Sequence, residues 1–169
     1  MDDQSAVAGA KAFEQLVGLL DYPMFVVTVN RGELAGCLVG FATQVSIRPP
    51  RFLVGLSKRN HTFRVAERAD RLAVHVLPRE QRELARLFGS ETGDRIDKFD
   101  RCAWRTGPDG IPILVDAVAW FVGDILSRID VGDHVGFLLE PTDGSAPRRR
   151  FDQPVTFADV RDLDPGHEA

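Results

Sequence analysis

Cysteine is scarce in this chain: Cys37 and Cys102 are the only two in 169 residues, with neither metal-ligand spacing nor a disulfide framework. A disulfide-stapled scaffold is excluded, and reduced thiols make the cytoplasm the expected location. Long apolar runs are missing too. None approaches the roughly 20 residues that a spanning helix needs, and Asp2 and Asp3 open a start with no apolar signal core, so no membrane association is expected. Basic charge is also in short supply, with 21 Lys and Arg against 25 Asp and Glu and a net charge of −4. Nucleic acid is therefore not an expected partner, because phosphate neutralisation needs a basic face. Arg148, Arg149 and Arg150 form the only basic run, which reads as a solvated loop.

The usual catalytic signatures are absent. No Gly-x-Gly-x-x-Gly opens a βαβ unit and no phosphate-binding P-loop occurs, which argues against a Rossmann dinucleotide domain. His61, His75, His134 and His167 lack ligand spacing, so no metal is expected. No nucleophile elbow marks a serine hydrolase. What is present, 44% apolar and 27% charged residues, fits one soluble domain over 1–169 with its core at about 20–142.

Along the chain, Ala6 to Leu20 carries Phe13, Leu16, Val17 and Leu20 at helical spacing and predicts an amphipathic helix. Pro23 to Val29 is β-branched and aromatic and predicts a buried strand. Asn30-Arg31-Gly32 makes the turn, and Leu34 to Ile47 returns as a strand, followed by Arg51 to Leu56. Asn60 caps a short helix with Phe63, Val65 and Ala66. Arg71 to Leu77 is a further strand, Pro78 to Phe88 a helix stopped by Gly89, and Thr92 to Arg101 a polar loop. Pro108-Asp109-Gly110 is a turn before strands at Ala117 to Ser127 and His134 to Leu139. The tail after Thr142 reads as a loop and a loosely packed end. Strands dominate and helices do not alternate with them, so the expectation is a mainly β fold: a split antiparallel β-barrel of Greek-key type with short peripheral helices.

Three segments carry candidate chemistry. Gly36 to Ser46 has two glycines in an apolar run, which fits either tight barrel bends or a flat group close to the main chain. In the second case Thr43, Gln44 and Ser46 would bond a polar sugar chain. Ser57-Lys58-Arg59-Asn60-His61-Thr62 joins a strand to a helix, and is either a solvated turn capped by Asn60 or an anion site using Lys58, Arg59 and neutral donors. Gly132-Asp133-His134 begins a strand and sets an imidazole at a barrel rim, where it is either capped by Asp133 or faces a ligand. Phe88, Phe99, Trp104 and Trp120 read as core, with Phe88 and Phe99 the candidates for an exception because they flank a polar loop.

With these residues in view, the chain resembles the flavin reductase-like family of FMN-binding split barrels, which includes reductase components of two-component flavin monooxygenases. The resemblance runs from about Pro23 to Glu140. It is carried by Gly36 through Val45-Ser46-Ile47-Arg48-Pro49-Pro50, Leu53 to Thr62, Leu72 to Leu77, Gln81 to Phe88, Asp97-Lys98-Phe99 and Gly132-Asp133-His134. It implies an isoalloxazine ring along Val39, Gly40, Phe41 and Ala42 with Thr43 and Gln44 near it. It also implies a phosphate at Ser57, Lys58, Asn60 and Thr62, and Ser46 beside the same groove. Phe88, Lys98 and Phe99 correspond to a segment that closes over the flavin, and His134 to a histidine near the nicotinamide. Leu38, Gly40 and Phe41 replace polar residues usual in such reductases, and Arg48 replaces an Asp.

The implied function is NAD(P)H-dependent reduction of FMN or FAD by hydride transfer to flavin N5, with reduced flavin passed to oxygen or a monooxygenase. The other reading kept open is an FMN-binding or electron-transfer protein without reductase activity, which Leu38 and Phe41 favour by narrowing the room for a nicotinamide. The resemblance also implies a homodimer.

Overall fold

A computed structural model of the protein describes residues 3–90, 96–147 and 150–163. Helix α1 (Asp3–Val17) precedes strands β1 (Phe25–Asn30), β2 (Leu34–Val39), β3 (Ala42–Ser46) and β4 (Arg51–Ser57). Helix α2 (His61–Ala66), β5 (Arg71–Val76), α3 (Arg82–Ser90), β6 (Trp104–Thr106) and β7 (Pro112–Leu114) follow. The chain then makes the long strands β8 (Ala119–Asp130) and β9 (His134–Ser145) and the short helix α4 (Phe157–Val160).

Seven strands form one antiparallel sheet in the order β2-β1-β5-β8-β9-β4-β3, while β6 and β7 pair separately. The two edge strands, β2 and β3, are consecutive in the chain and joined only by Gly40 and Phe41. In a flat sheet they would lie about 29 Å apart. The three Cα steps from Val39 to Ala42 span at most about 11 Å. The sheet must therefore roll until its edges meet, leaving a seam between β2 and β3. The mainly β, antiparallel expectation is met.

Strand alternation fills the interior with Val27, Val29, Val54, Leu56, Val74 and Phe137, and α2 adds Phe63 and Val65. Arg128 lies over the Phe137 ring, 5.5 Å from its centroid. It donates to the carbonyls of Ala66 and Ala69, which satisfies the C-terminal end of α2. Outside β1 and β2, α3 and α4 pack through Leu84, Phe88, Val155 and Val160. Outside β5 and β8, Ile111 and Ile113 cover Ala73 and Val122.

Several expectations are corrected. Leu34 to Ile47 is not one strand: it breaks at Gly40 and Phe41, so its halves occupy opposite edges. A Cβ on Gly40 would come within 2.7 Å of the Tyr22 ring, so any larger residue there would have to displace that ring. The tail is not loose. Met24 N donates to the Val155 carbonyl and Val155 N to the Leu77 carbonyl, and α4 carries a Thr156–Asp159 capping box. Strands β6 and β7 were not expected, because three residues are too few to show a period. Helix α1 is present, but residues 5–17 are all exposed, including Phe13 and Leu16. In the polar loop expected at Thr92 to Arg101, residues 91–95 lie outside those described, as do Arg148, Arg149 and His167.

His75 locks three strands together. It is fully buried; its Nδ1 meets the Val26 carbonyl at 3.0 Å and its Nε2 accepts from Leu114 N at 3.2 Å. A neutral imidazole protonated on Nδ1 satisfies both bonds. Burial disfavours the charged form and lowers its pKa from 6.5 to about 4. An unfolded chain protonates this ring near 6.5, so between these values the unfolded state binds more protons and stability falls as pH drops. Urea titrations across this interval should show a steeper loss for the natural protein than for His75→Gln, which removes that titration; parallel slopes would refute the assignment.

Candidate functional site

Several of the sequence candidates meet at the rim where β4 ends and β9 begins. Ser57 pairs directly with His134 across the two strands. The Phe41 ring lies 5.0 Å from the His134 ring, tilted by 59°. Phe41 accepts the Gly55 N–H at 2.7 Å through its carbonyl, yet its side chain is 63% exposed. His134 Nδ1 meets Asp133 Oδ1 at 2.7 Å, which fixes the ring. Lys58 N donates to the Asp133 carbonyl at 3.0 Å, and Lys58 Nζ reaches Asp130 Oδ2 at 2.7 Å.

Beside this cluster lie two glycines, with Phe41 over one and the Leu53 tip over the other. Gly55 and Gly136 face each other across β4 and β9. Alternation with the interior residues Val54, Leu56 and Phe137 puts both on the outer face. A Cβ on Gly55 would meet Phe41 Cβ at 3.1 Å and the Phe41 carbonyl oxygen at 3.3 Å, whereas one on Gly136 would meet the tip of Leu53 at 3.2 Å and Ile129 at ordinary contact distance. The glycine at 55 thus lets Phe41 fold down over the sheet. Beyond it runs β3, an edge strand hydrogen-bonded only to β4, whose alternate main-chain groups face away from that partner. Thr43 and Gln44 are exposed along it. Ser46 donates to the Pro49 carbonyl at 2.6 Å and so stabilises the loop to β4.

The one ammonium of this rim sits among two carboxylates. The Lys58 ammonium holds the Asp130 carboxyl below its ordinary range by a direct bond, with help from Gly132 N–H. His134 does the same for Asp133, with Lys58 contributing at longer range. Both carboxylates are therefore ionised acceptors at neutral pH.

Other candidates are not brought here. Phe88 and Phe99 are 1% and 6% exposed and belong to the packing between α3 and β2, with ring centroids 5.7 Å apart. Lys98 is buried with them and donates to the carbonyls of Gly36 at 3.0 Å and Phe88 at 3.1 Å. Phe88 belongs to the core, while Lys98 and Phe99 also line a cavity with Glu33, Gly36, His61 and Asp97, away from the Phe41–His134 rim. Thr62 is also buried; it and Asn60 hydrogen-bond the Cys37 sulfur, whose thiol burial pushes up in pKa. Asn60 caps α2 by accepting from Thr62 N at 2.8 Å, as expected. Val39 turns its side chain into the interior and offers only main chain. Ala42 is half-buried against the same interior.

The flat groups that approach Gly36 and Gly40 are the chain's own. A Cβ on Gly36 would come within 2.8 Å of the Phe88 ring. Leu38 lies against Gly89, away from the rim. Sequence reasoning missed Gly55, Gly136 and Asp130. The first two carried a readable signal, a glycine inside each of two apolar strands; Asp130 carried none.

The flavin reductase-like domain family matches residues 17–164 of this chain. The chain belongs to that family. It is 32% identical over 117 residues to a flavin reductase of Pseudomonas putida, covering 67% of this chain and 67% of that protein. It is 30% identical over 118 residues to the reductase subunit of stachydrine N-demethylase from Rhizobium meliloti, covering 68% of this chain. The chain spans 50% of the length of that subunit and 36% of a second Rhizobium meliloti relative. Among solved structures, the NADH:FAD oxidoreductase of Streptomyces globisporus superposes with a TM-score of 0.79 at 27% identity, covering 94% of this chain and 92% of that one.

In this flavin reductase-like domain, Gly55→Ala should lower stability by about 1 kcal/mol by pushing against Phe41 Cβ and its carbonyl oxygen. Gly136→Ala should cost less, since the Leu53 tip can rotate away. Equal urea midpoints for the two variants would contradict this packing.

Proposed function

We propose that this protein is an NAD(P)H-dependent flavin reductase, with FMN or FAD bound along the open edge of β3 at the rim. The observation that carries the reading is the meeting of Phe41, His134 and Lys58 around a floor of two facing glycines. A planar ring system needs main-chain partners along its edge and a cation for its phosphate, and Phe41 and the Leu53 tip, which lie over the two glycines, would move aside to admit it. The residues present fit that group. When bound, the flavin supplies the two-electron acceptor for hydride from a reduced nicotinamide.

The chain's own contribution is binding and orientation. Lys58 and Ser57 hold the phosphate end, while Thr43, Gln44 and Ser46, which run beside Leu53 to Arg51 and away from Lys58, line the groove on the other side of the ring. The main chain of Gly40, Phe41 and Ala42 meets the ring edge, and the Phe41 side chain walls it from water. His134, held by Asp133, faces the nicotinamide and steadies its amide. Membership of the flavin reductase-like family supports this activity, and the match to the reductase subunit of an N-demethylase supports a partner enzyme as the recipient of the electrons, which we take to be a monooxygenase. A cytoplasmic location suits the free thiols of Cys37 and Cys102. Among the described residues no helix is long and apolar enough to cross a membrane.

A second reading, flavin binding without reductase activity, draws on the Phe41 ring over His134, which occupies the space a nicotinamide would use. Under the reductase reading, NADH or NADPH bleaches the bound flavin anaerobically within seconds. His134→Ala slows that step at least about tenfold in stopped flow while flavin affinity stays the same. No bleaching by either nucleotide would favour the second reading, and an unchanged rate in His134→Ala would remove the role given to the imidazole.

The reading includes a homodimer, in keeping with the split barrel that a rolled sheet with an open seam represents. Helix α1 presents Phe13 and Leu16 to solvent at 64% and 55% exposure, and Leu20 just beyond it is 48% exposed. A lone helix of this length is marginal in water unless its apolar face is covered. Val45 and Ile47 on the β3 side and Ile129 on β8 are likewise exposed. A second copy that brings α1 over such a surface buries both. Sedimentation should give a dimer at micromolar concentration and a shift to monomer in Phe13→Ser/Leu16→Ser; a monomeric natural protein would exclude this arrangement.

A further inference from the structure

The turn between β8 and β9 grips Lys58 at both ends. The Asp133 carbonyl takes its backbone N–H at 3.0 Å and Asp130 Oδ2 takes its ammonium at 2.7 Å. Asp130 is itself held in place, because its Oδ1 accepts the Gly132 N–H at 3.1 Å. The carboxylate is thus part of the turn, fixed beside the ammonium before any ligand arrives. Asp133 adds a second negative charge on the same turn, directed at His134.

We propose that Asp130 sets how weakly the phosphate end of the flavin is held, by keeping Lys58 in an ion pair that the phosphate must displace or share. This rests on the reading of Lys58 as the phosphate-binding cation. A phosphate on the Lys58 ammonium would lie within a few ångströms of a carboxylate bonded to that same ammonium. Two costs follow: an existing charge-assisted bond is broken or stretched, and two anions are brought together. The pair is exposed, at 38% for Lys58 and 72% for Asp130, so its effect on phosphate binding is modest and sensitive to salt.

Asp130→Asn tests this cleanly, since the amide oxygen still accepts from Gly132 and the turn is kept. Dissociation constants are measured by fluorescence for FMN and for riboflavin, which has the same ring system and no phosphate. FMN should bind Asp130→Asn about three- to tenfold more tightly than the natural protein, with riboflavin unchanged. The gain should shrink between about 0.05 and 0.5 M salt and vanish when Lys58→Ala is combined with it. Unchanged or weaker FMN binding in Asp130→Asn overturns the inference, and so does an equal tightening of riboflavin, which would mean that the turn had merely rearranged. If the natural protein binds neither flavin, the flavin reading fails beneath it. If FMN binds but Lys58→Ala leaves its affinity intact, the phosphate assignment fails while flavin binding stands.

Discussion

A link of two residues, Gly40 and Phe41, joins the opposite edges of a seven-stranded sheet, and most of the architecture follows from that tether. Because so short a piece of chain cannot cross a flat sheet, the strands must curl, and the curl encloses the interior apolar cluster. The same tether leaves β3 hydrogen-bonded on one side only, so a row of main-chain donors and acceptors faces the seam. Gly40 meets the tether's steric demand against the layer outside β1 and β2, where Tyr22 and Met24 press against it. Phe41 projects over Gly55 and toward His134.

Cover on the outside of the sheet is uneven, and this decides where chemistry is possible. Helices α3 and α4 seal β1 and β2, and the residues around β6 and β7 seal β5 and β8. At the opposite side the glycine pair at 55 and 136 is flanked by exposed Phe41, Val45 and Ile129. Charged groups gather at the end of that side because the β8–β9 turn and the exit from β4 converge there. Lys58 is paired with Asp130, and Asp133 bonds the His134 ring, so the one ammonium of this set sits among two carboxylates. An anion entering such a set competes with groups already in place, whereas one entering a bare cationic pocket would not.

The buried polar groups do the opposite work. His75 ties β1, β5 and the β7 segment through two bonds that require it to stay neutral. Lys98 closes the packing of α3 on β2 by donating to two carbonyls, one from each element. These groups hold layers in register. The rim groups remain exposed to solvent and to ligand.

Much of the site was legible in the chain itself. The β-branched runs marked the strands, Asn60 marked the start of α2, and Gly132-Asp133-His134 marked the rim because a turn and a strand start are local events. The family followed from the order of those segments. Other assignments depended on contacts that sequence distance hides. Gly36 had two readings, and only the Phe88 ring against it decided between them. Phe88 and Phe99 flank a polar loop in the sequence, but the packing of α3 on β2 buries both rings. The partner that governs Lys58 stands 72 residues away. Local composition fixes which backbone conformations are cheap; which side chains meet is set by how the sheet closes, and that closure is a property of the whole chain.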